Sequence, residues 1–209
     1  MTPQSRLLLA ALLAIGALLG AGAALVWRHS RPPLELTTGS YLSPRRPLPD
    51  FSLIDQRGQP FGSQNLRGHW SLMFFGYTNC PDFCPTTLST LAAMEKRMRA
   101  RRESVPPQVI FVSVDAKRDT PEQLAKYVPY FDPQFIGLTA ADQPTIEAVA
   151  RKLGVGVTIE PQPDGSYAVY HSGAIFVVDP AGRLAAILTQ WLSEEALQAD
   201  IEHITAARG

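Results

Sequence analysis

From residue 7 to residue 27 the chain carries no charged side chain, and nearly every position is apolar or glycine. At about 1.5 Å per residue, a helix of this length matches a hydrocarbon core of about 30 Å, so residues 1–27 are expected to hold an N-terminal transmembrane helix. The pattern then breaks. Over 28–47, Pro32, Pro33, Pro44 and Pro47 are mixed with Arg28, Arg31, Arg45 and Arg46, a composition that resists helix and reads as an extended linker. Shorter periodicities return from residue 48, and a folded domain is expected over 48–209.

Within that domain, 51–54 reads as a short strand, the turn 55–58 follows, and 59–62 returns as its partner in an edge hairpin. Residues 70–75 are almost wholly apolar and stop at Gly76, as a buried strand would. Pro85 suits the first turn of a helix, after which Leu88, Leu91, Met94 and Met98 recur at helical spacing. A second buried strand is expected at 109–114, and a helix capped by Asp119 or Thr120 from there to about 130. A strand at 135–138, a helix at 143–153, an antiparallel pair at 174–178 and 184–188, and a closing helix at 193–206 complete the series. Strands alternating with helices and ending in a hairpin and a helix describe an α/β layered domain.

Composition narrows the function. The chain has 19 basic and 19 acidic side chains, so its charge favours neither nucleic acid nor an acidic surface. A domain of this size can fold without a metal or disulfide frame, which frees its two cysteines for chemistry. The leading apolar run has a competing reading as a cleaved signal peptide, with Arg6 in front and small residues at 21–23. The run continues past that site, which favours an uncleaved anchor. Arginines follow the run as well as precede it, against the positive-inside rule. The amino terminus is nonetheless placed inside and the domain outside the cytosol, where a close cysteine pair makes chemical sense.

Cys80 and Cys84 stand four positions apart, right after the buried strand, so their side chains can meet each other or share an ion. A helix N-terminus would lower a thiol pKa there, while Asp82 between them opposes that. An inert disulfide closing so short a loop would remove little chain entropy. Structural zinc is disfavoured, because the sequence has neither a second cysteine pair nor a closely spaced histidine pair. Four histidines exist, at 29, 69, 171 and 203. Of these, His171 stands in a segment read as a loop just ahead of the strand at 174–178, where it could face the cysteines. Two thiolates and an imidazole would suit a soft ion such as Cu(I), although a lone loop histidine is often just a polar surface residue.

The stretch FGYTNCPDFCPTTL at 75–88, with VSVD at 112–115, RDTPE at 118–122, HS at 171–172 and VDPAG at 178–182, resembles the Sco/SenC family of copper-binding cytochrome c oxidase assembly proteins. The resemblance runs over about 48–206. It implies a thioredoxin-like fold behind an N-terminal anchor, with Cys80, Cys84 and His171 as copper ligands. It also implies a location in the bacterial inner membrane, single-pass, with the domain facing the periplasm. The implied partners are the copper-receiving subunit of cytochrome c oxidase and a copper donor or thiol reductant protein. Three positions depart from the family pattern: Ala116 where proline is common, Phe83 where a smaller residue is usual, and Tyr170 where an acidic residue often precedes the histidine. Asp115 is a candidate to orient the histidine, or else a simple strand-end cap.

The function expected is thus a metallochaperone binding Cu(I) or Cu(II), with no substrate turnover. The alternative is a thiol-disulfide oxidoreductase using Cys80 and Cys84 as a redox dithiol on a partner's cysteines. Thioredoxins space their cysteines one residue closer, and the peroxiredoxin pattern lacks its Thr or Ser here, since Tyr77 holds that place. A copper or redox sensor is a third class.

Overall fold

The computed structural model describes residues 13–17, 19, 20, 22, 34–101, 105–189 and 193–206. The chain divides into two units, Met1–Leu34 and Glu35–Gly209. In the first, the described residues between 13 and 22 are helical; the expected anchor over 7–27 otherwise lies outside the described residues. Among the described residues no helix is long and apolar enough to cross a membrane.

The second unit is built on an eight-stranded sheet. Its strands are β1 (Gly39–Pro47), β2 (Ser52–Asp55), β3 (Pro60–Gly62), β4 (Ser71–Gly76), β5 (Gln108–Ser113), β6 (Ile136–Thr139), β9 (Ile175–Val178) and β10 (Arg183–Leu188), in the order β1-β10-β9-β4-β5-β6-β2-β3. Strands β7 (Val157–Pro161) and β8 (Tyr167–His171) form a separate two-stranded hairpin. The helices are α1 (Phe83–Arg101), α2 (Pro121–Phe131), α3 (Gln143–Lys152) and α4 (Glu194–Ala206). Strands β4, β5 and β6 run parallel, as the crossover helices α1 and α2 require, and the outer strands are antiparallel.

All six residues of β4 are buried, which is why that run is almost continuously apolar. Its alternation still sorts the two faces. Met73 and Phe75 join a core of Ile110, Val112, Phe176 and the α3 residues Ile146 and Val149. Phe74 points the other way and packs against Phe83 and Phe111 at 6.1 Å between ring centres. Burying Phe74 and Phe111 contributes about 2–3 kcal/mol for each ring. Helix α1 buries Leu88, Leu91, Met94 and Met98, the positions whose spacing predicts it. Thr120 caps α2 through the Gln123 amide, and Asp142 caps α3 through that of Thr145.

Two expectations are corrected. The segment read as a linker over 28–47 contains β1, paired with β10 at the sheet edge. An edge strand tolerates proline, and a register shift between Tyr41 and Arg46 takes up Pro44. Arg45 is buried there: it pairs with Asp179 at 3.0 Å and lies over the Trp70 ring. Those partners are far away in sequence, so a local reading sees only a proline- and arginine-rich stretch. The second correction is the β7–β8 hairpin, for which no strands are expected, and which makes His171 a strand residue rather than a loop residue.

Candidate metal centre

Strand β4 ends at Gly76, and the chain turns through 77–82 into α1 at the carboxyl ends of the parallel strands, a common place for sites in α/β sheets. The turn is tied down by hydrogen bonds. The Cys80 amide donates to the Tyr77 carbonyl at 3.3 Å, and Thr86 donates to the Asp82 carbonyl at 3.1 Å. Thr78 donates both its amide, at 2.8 Å, and its hydroxyl, at 2.6 Å, to the buried carboxylate of Asp119. Asp119 also accepts from Ser113 at 2.6 Å.

The structure brings Cys80, Cys84 and His171 together. Both cysteines are free thiols, Cys84 buried and Cys80 half-buried. The Cys84 amide donates to the Cys80 sulfur at 3.4 Å. On its other side Cys84 Sγ lies 3.6 Å from His171 Nε2. Gly76 makes the space: a Cβ there would stand 2.9 Å from the Cys84 sulfur and 2.7 Å from the Phe111 ring. The three side chains therefore form a run of contacts with Cys84 in the middle. Among the described residues, no three His, Cys, Asp or Glu side chains already form a closed coordination group.

His171 Nδ1 lies 3.1 Å from the Ser172 carbonyl. A carbonyl can only accept, so Nδ1 carries the proton and Nε2 turns its lone pair toward Cys84. The imidazole meets the Tyr77 ring edge-on at 5.8 Å and the rings of Phe74 and Phe83 at 6.4 Å. Burial among these rings lowers its pKa, against the opposing pull of the Ser172 carbonyl, and keeps it neutral. Burial likewise pushes the Cys84 thiol well up, opposed by a hydrogen bond to the Tyr77 backbone and reinforced by Cys80 and Asp119. For Cys84, desolvation thus overcomes the pull of the nearby helix N-terminus.

Asp115 does not touch His171. It accepts a 2.8 Å hydrogen bond from the Tyr167 hydroxyl and pairs with Arg118, whose guanidinium lies 4.1 Å over the Tyr167 ring. It thereby fixes the start of β8, the strand that ends in His171. His69 and His203 are exposed, and His29 lies outside the described residues. The sequence alone points to no role for Thr78 or Tyr167, gives Gly76 only as the end of a strand, and offers Asp119 as one of two helix caps. The partners of Asp119 lie up to 41 positions away, so nothing local reveals it. The hairpin had a signal in Pro163, Asp164 and Gly165, turn residues between two β-branched and aromatic runs.

A family model described as SCO1/SenC matches residues 41–206. The mitochondrial SCO2 homolog of Bos taurus is 34% identical over 205 residues, covering 98% of this chain and 76% of the bovine protein. Two solved structures with copper bound are also similar. Arabidopsis thaliana ScoI is 32% identical with a TM-score of 0.70, covering 75% of this chain and 96% of that one. Bradyrhizobium japonicum ScoI is 34% identical with a TM-score of 0.66, covering 76% and 99%.

Proposed function

The chain belongs to the SCO1/SenC family, with the thioredoxin-like fold of that family, and from that premise we propose that it is a copper carrier for cytochrome c oxidase assembly. It holds one copper ion through Cys80, Cys84 and His171 and passes it to the copper-receiving subunit of the oxidase, for the dinuclear centre. Residues 7–27 anchor it in the bacterial inner membrane, with the domain in the periplasm.

The observation that carries this reading is the 3.6 Å approach of Cys84 Sγ to His171 Nε2, between side chains 87 positions apart, with Cys80 against Cys84. Copper is the cargo here, and the donor set fits it: two sulfurs and one unprotonated imidazole nitrogen suit a soft ion better than oxygen-rich sites do. The Arabidopsis and Bradyrhizobium relatives are seen with copper bound, which supports the same cargo. The protein's own groups do three things. Ser172 holds the imidazole in the tautomer that offers Nε2. Phe74 and Tyr77 keep water from it. Cys80, the more accessible sulfur, turns toward His171 to complete a three-ligand set.

Chelator competition on the reduced protein tests the site. Cys84→Ser and His171→Ala are each expected to weaken Cu(I) binding on the order of 100-fold or more. Retention of wild-type affinity and stoichiometry in either variant would overturn the ligand assignment. Oxidase copper content in a deletion strain tests the cargo's destination; unchanged content would remove the assembly role and leave the site standing. The nearness of the two cysteines, with the Cys84 amide donating to the Cys80 sulfur, also favours a second reading, reduction of a partner's disulfide with Cys80 and Cys84 becoming the disulfide. Disulfide reductase activity that survives His171→Ala would mark that chemistry as independent of copper.

A further inference from the structure

Cys80, in the turn, and Cys84, in the first turn of α1, are four positions apart, yet Cys84 is 0% exposed and Cys80 is half-buried. Gly76 and Phe111 close the inner side of Cys84. The residue just before Cys84 is Phe83, a large aromatic residue left 44% exposed at the first position of α1. Its ring does not turn away into solvent. It lies 6.1 Å from Phe74 and 6.4 Å from His171, and it reaches across to the β8–β9 connection, where a Cβ on Gly173 would be 2.5 Å from its Cζ. The ring therefore bridges the cysteine helix and the backbone just after the histidine. Gly173 supplies the space, since any side chain there would displace the ring.

We propose that Phe83 is a shield over the Cys84–His171 pair, which makes Cys80 the thiol that an incoming copper-bearing thiol protein meets first. The inference rests on the reading of Cys80, Cys84 and His171 as copper ligands. On uptake, the Cys80 sulfur forms the first copper–sulfur bond as one carrier ligand leaves, and the thiol proton passes to solvent. No electron moves, so the ion keeps its oxidation state. The ring then rotates aside, Cys84 forms the second bond with loss of its own proton, His171 Nε2 forms the third, and the remaining carrier ligands depart. Release retraces this order, with Cys80 the last sulfur to let go. Phe83 makes no bond to the ion; it is a positioning residue that sets the sequence of ligand exchange.

Thiol alkylation of the reduced full-length chain tests this without copper. In a Cys80→Ser chain, Phe83→Ala is expected to speed iodoacetamide modification of Cys84 about tenfold or more, and Phe83→Leu by less. In a Cys84→Ser chain, the same changes are expected to leave Cys80 modification within about threefold. An unchanged Cys84 rate, or an equal rise at both sulfurs, would overturn the shield. Phe83→Leu keeps an apolar side chain at the helix start, so the graded response separates shielding from a loosened fold. In the copper-loaded protein, Phe83→Ala is expected to speed Cu(I) removal by a chelator more than it weakens equilibrium affinity. Should no form bind copper, the cargo reading fails, while the two alkylation rates still decide the shield.

Discussion

The loop that carries Cys80 and Cys84 leaves a strand whose six residues are all buried and enters a helix with seven buried positions, whereas the hairpin that carries His171 buries only Val169 of β8 and nothing of β7. The cysteine limb thus shares the stability of the whole core. The histidine limb is held by fewer and more exposed contacts: buried Val169, the partly buried Val157 and Ile159 packed on the core, the Ser172 amide bonded to the Gly156 carbonyl, and Tyr167 clamped by Asp115 and Arg118. A segment held by few contacts opens locally at less cost than one held by the global fold. The histidine is therefore adjustable while Cys84 is fixed in the core, a division that suits the proposed uptake and release of an ion. Both limbs are tied to the same stretch of chain after β5, through Asp119 on the cysteine side and Asp115 on the histidine side.

The largest effect is expected from breaking the tie on the cysteine limb. Asp119→Ala removes a buried carboxylate that accepts from the Thr78 amide, the Thr78 hydroxyl and the Ser113 hydroxyl. Stranding those donors should cost about 3 kcal/mol in urea unfolding, with copper affinity falling as well. Asp119→Asn should cost less, because an amide oxygen still accepts and burial already raises the pKa of this carboxyl above the ordinary value. A loss below about 1 kcal/mol for the alanine variant would mean that the core alone holds the cysteine loop.

The limb built on the core also contains a polar cost of its own. Glu95 on α1 is buried, and one of its oxygens has no partner although the other meets Arg99 at 2.8 Å. Burial pushes its pKa up to about 7, against the attraction of Arg99, with Asp132 adding repulsion. Protonated Glu95 therefore favours the folded state. That contribution is complete below pH 4.5 and is lost as pH rises through about 7. Glu95→Gln should be more stable than the parent at pH 8 by about 2 kcal/mol relative to their difference at pH 4.5. A gap independent of pH would place the burden on packing rather than on the charge.

The same contrast decides what could be read in advance. Strands β4 and β5 and helix α1 are dense in apolar residues at clear periods, so they and the cysteine pair are legible from a short window of sequence. Strand β1 is not, because its buried arginine is explained by Asp179, 134 positions away. The hairpin is not, because its strands bury little and so lack a strong apolar alternation. His171 is a candidate in the sequence by elimination among the histidines and by resemblance, whereas its place against Cys84 depends on the Asp115–Tyr167 link across 52 positions. Long-range polar contacts leave no local period, and this site is assembled by them.

The gentlest way to sharpen the contrast is Tyr167→Phe. It deletes a single hydroxyl that donates 2.8 Å to Asp115, keeps the ring beneath Arg118, and leaves the core and both cysteines untouched. The global cost should be about 1 kcal/mol, since Asp115 keeps its pairing with Arg118. Copper should respond more than stability does. Loosening β8 at one end frees His171 at the other, and affinity is expected to fall about tenfold, in the range seen when the groups that orient a ligand are lost. Amide exchange should locate the change, with faster exchange across the paired strands β7 and β8 and no change in β4. If the hairpin kept its protection and copper its affinity, the histidine limb would be as rigid as the cysteine limb, and the division between a fixed and an adjustable donor would fail.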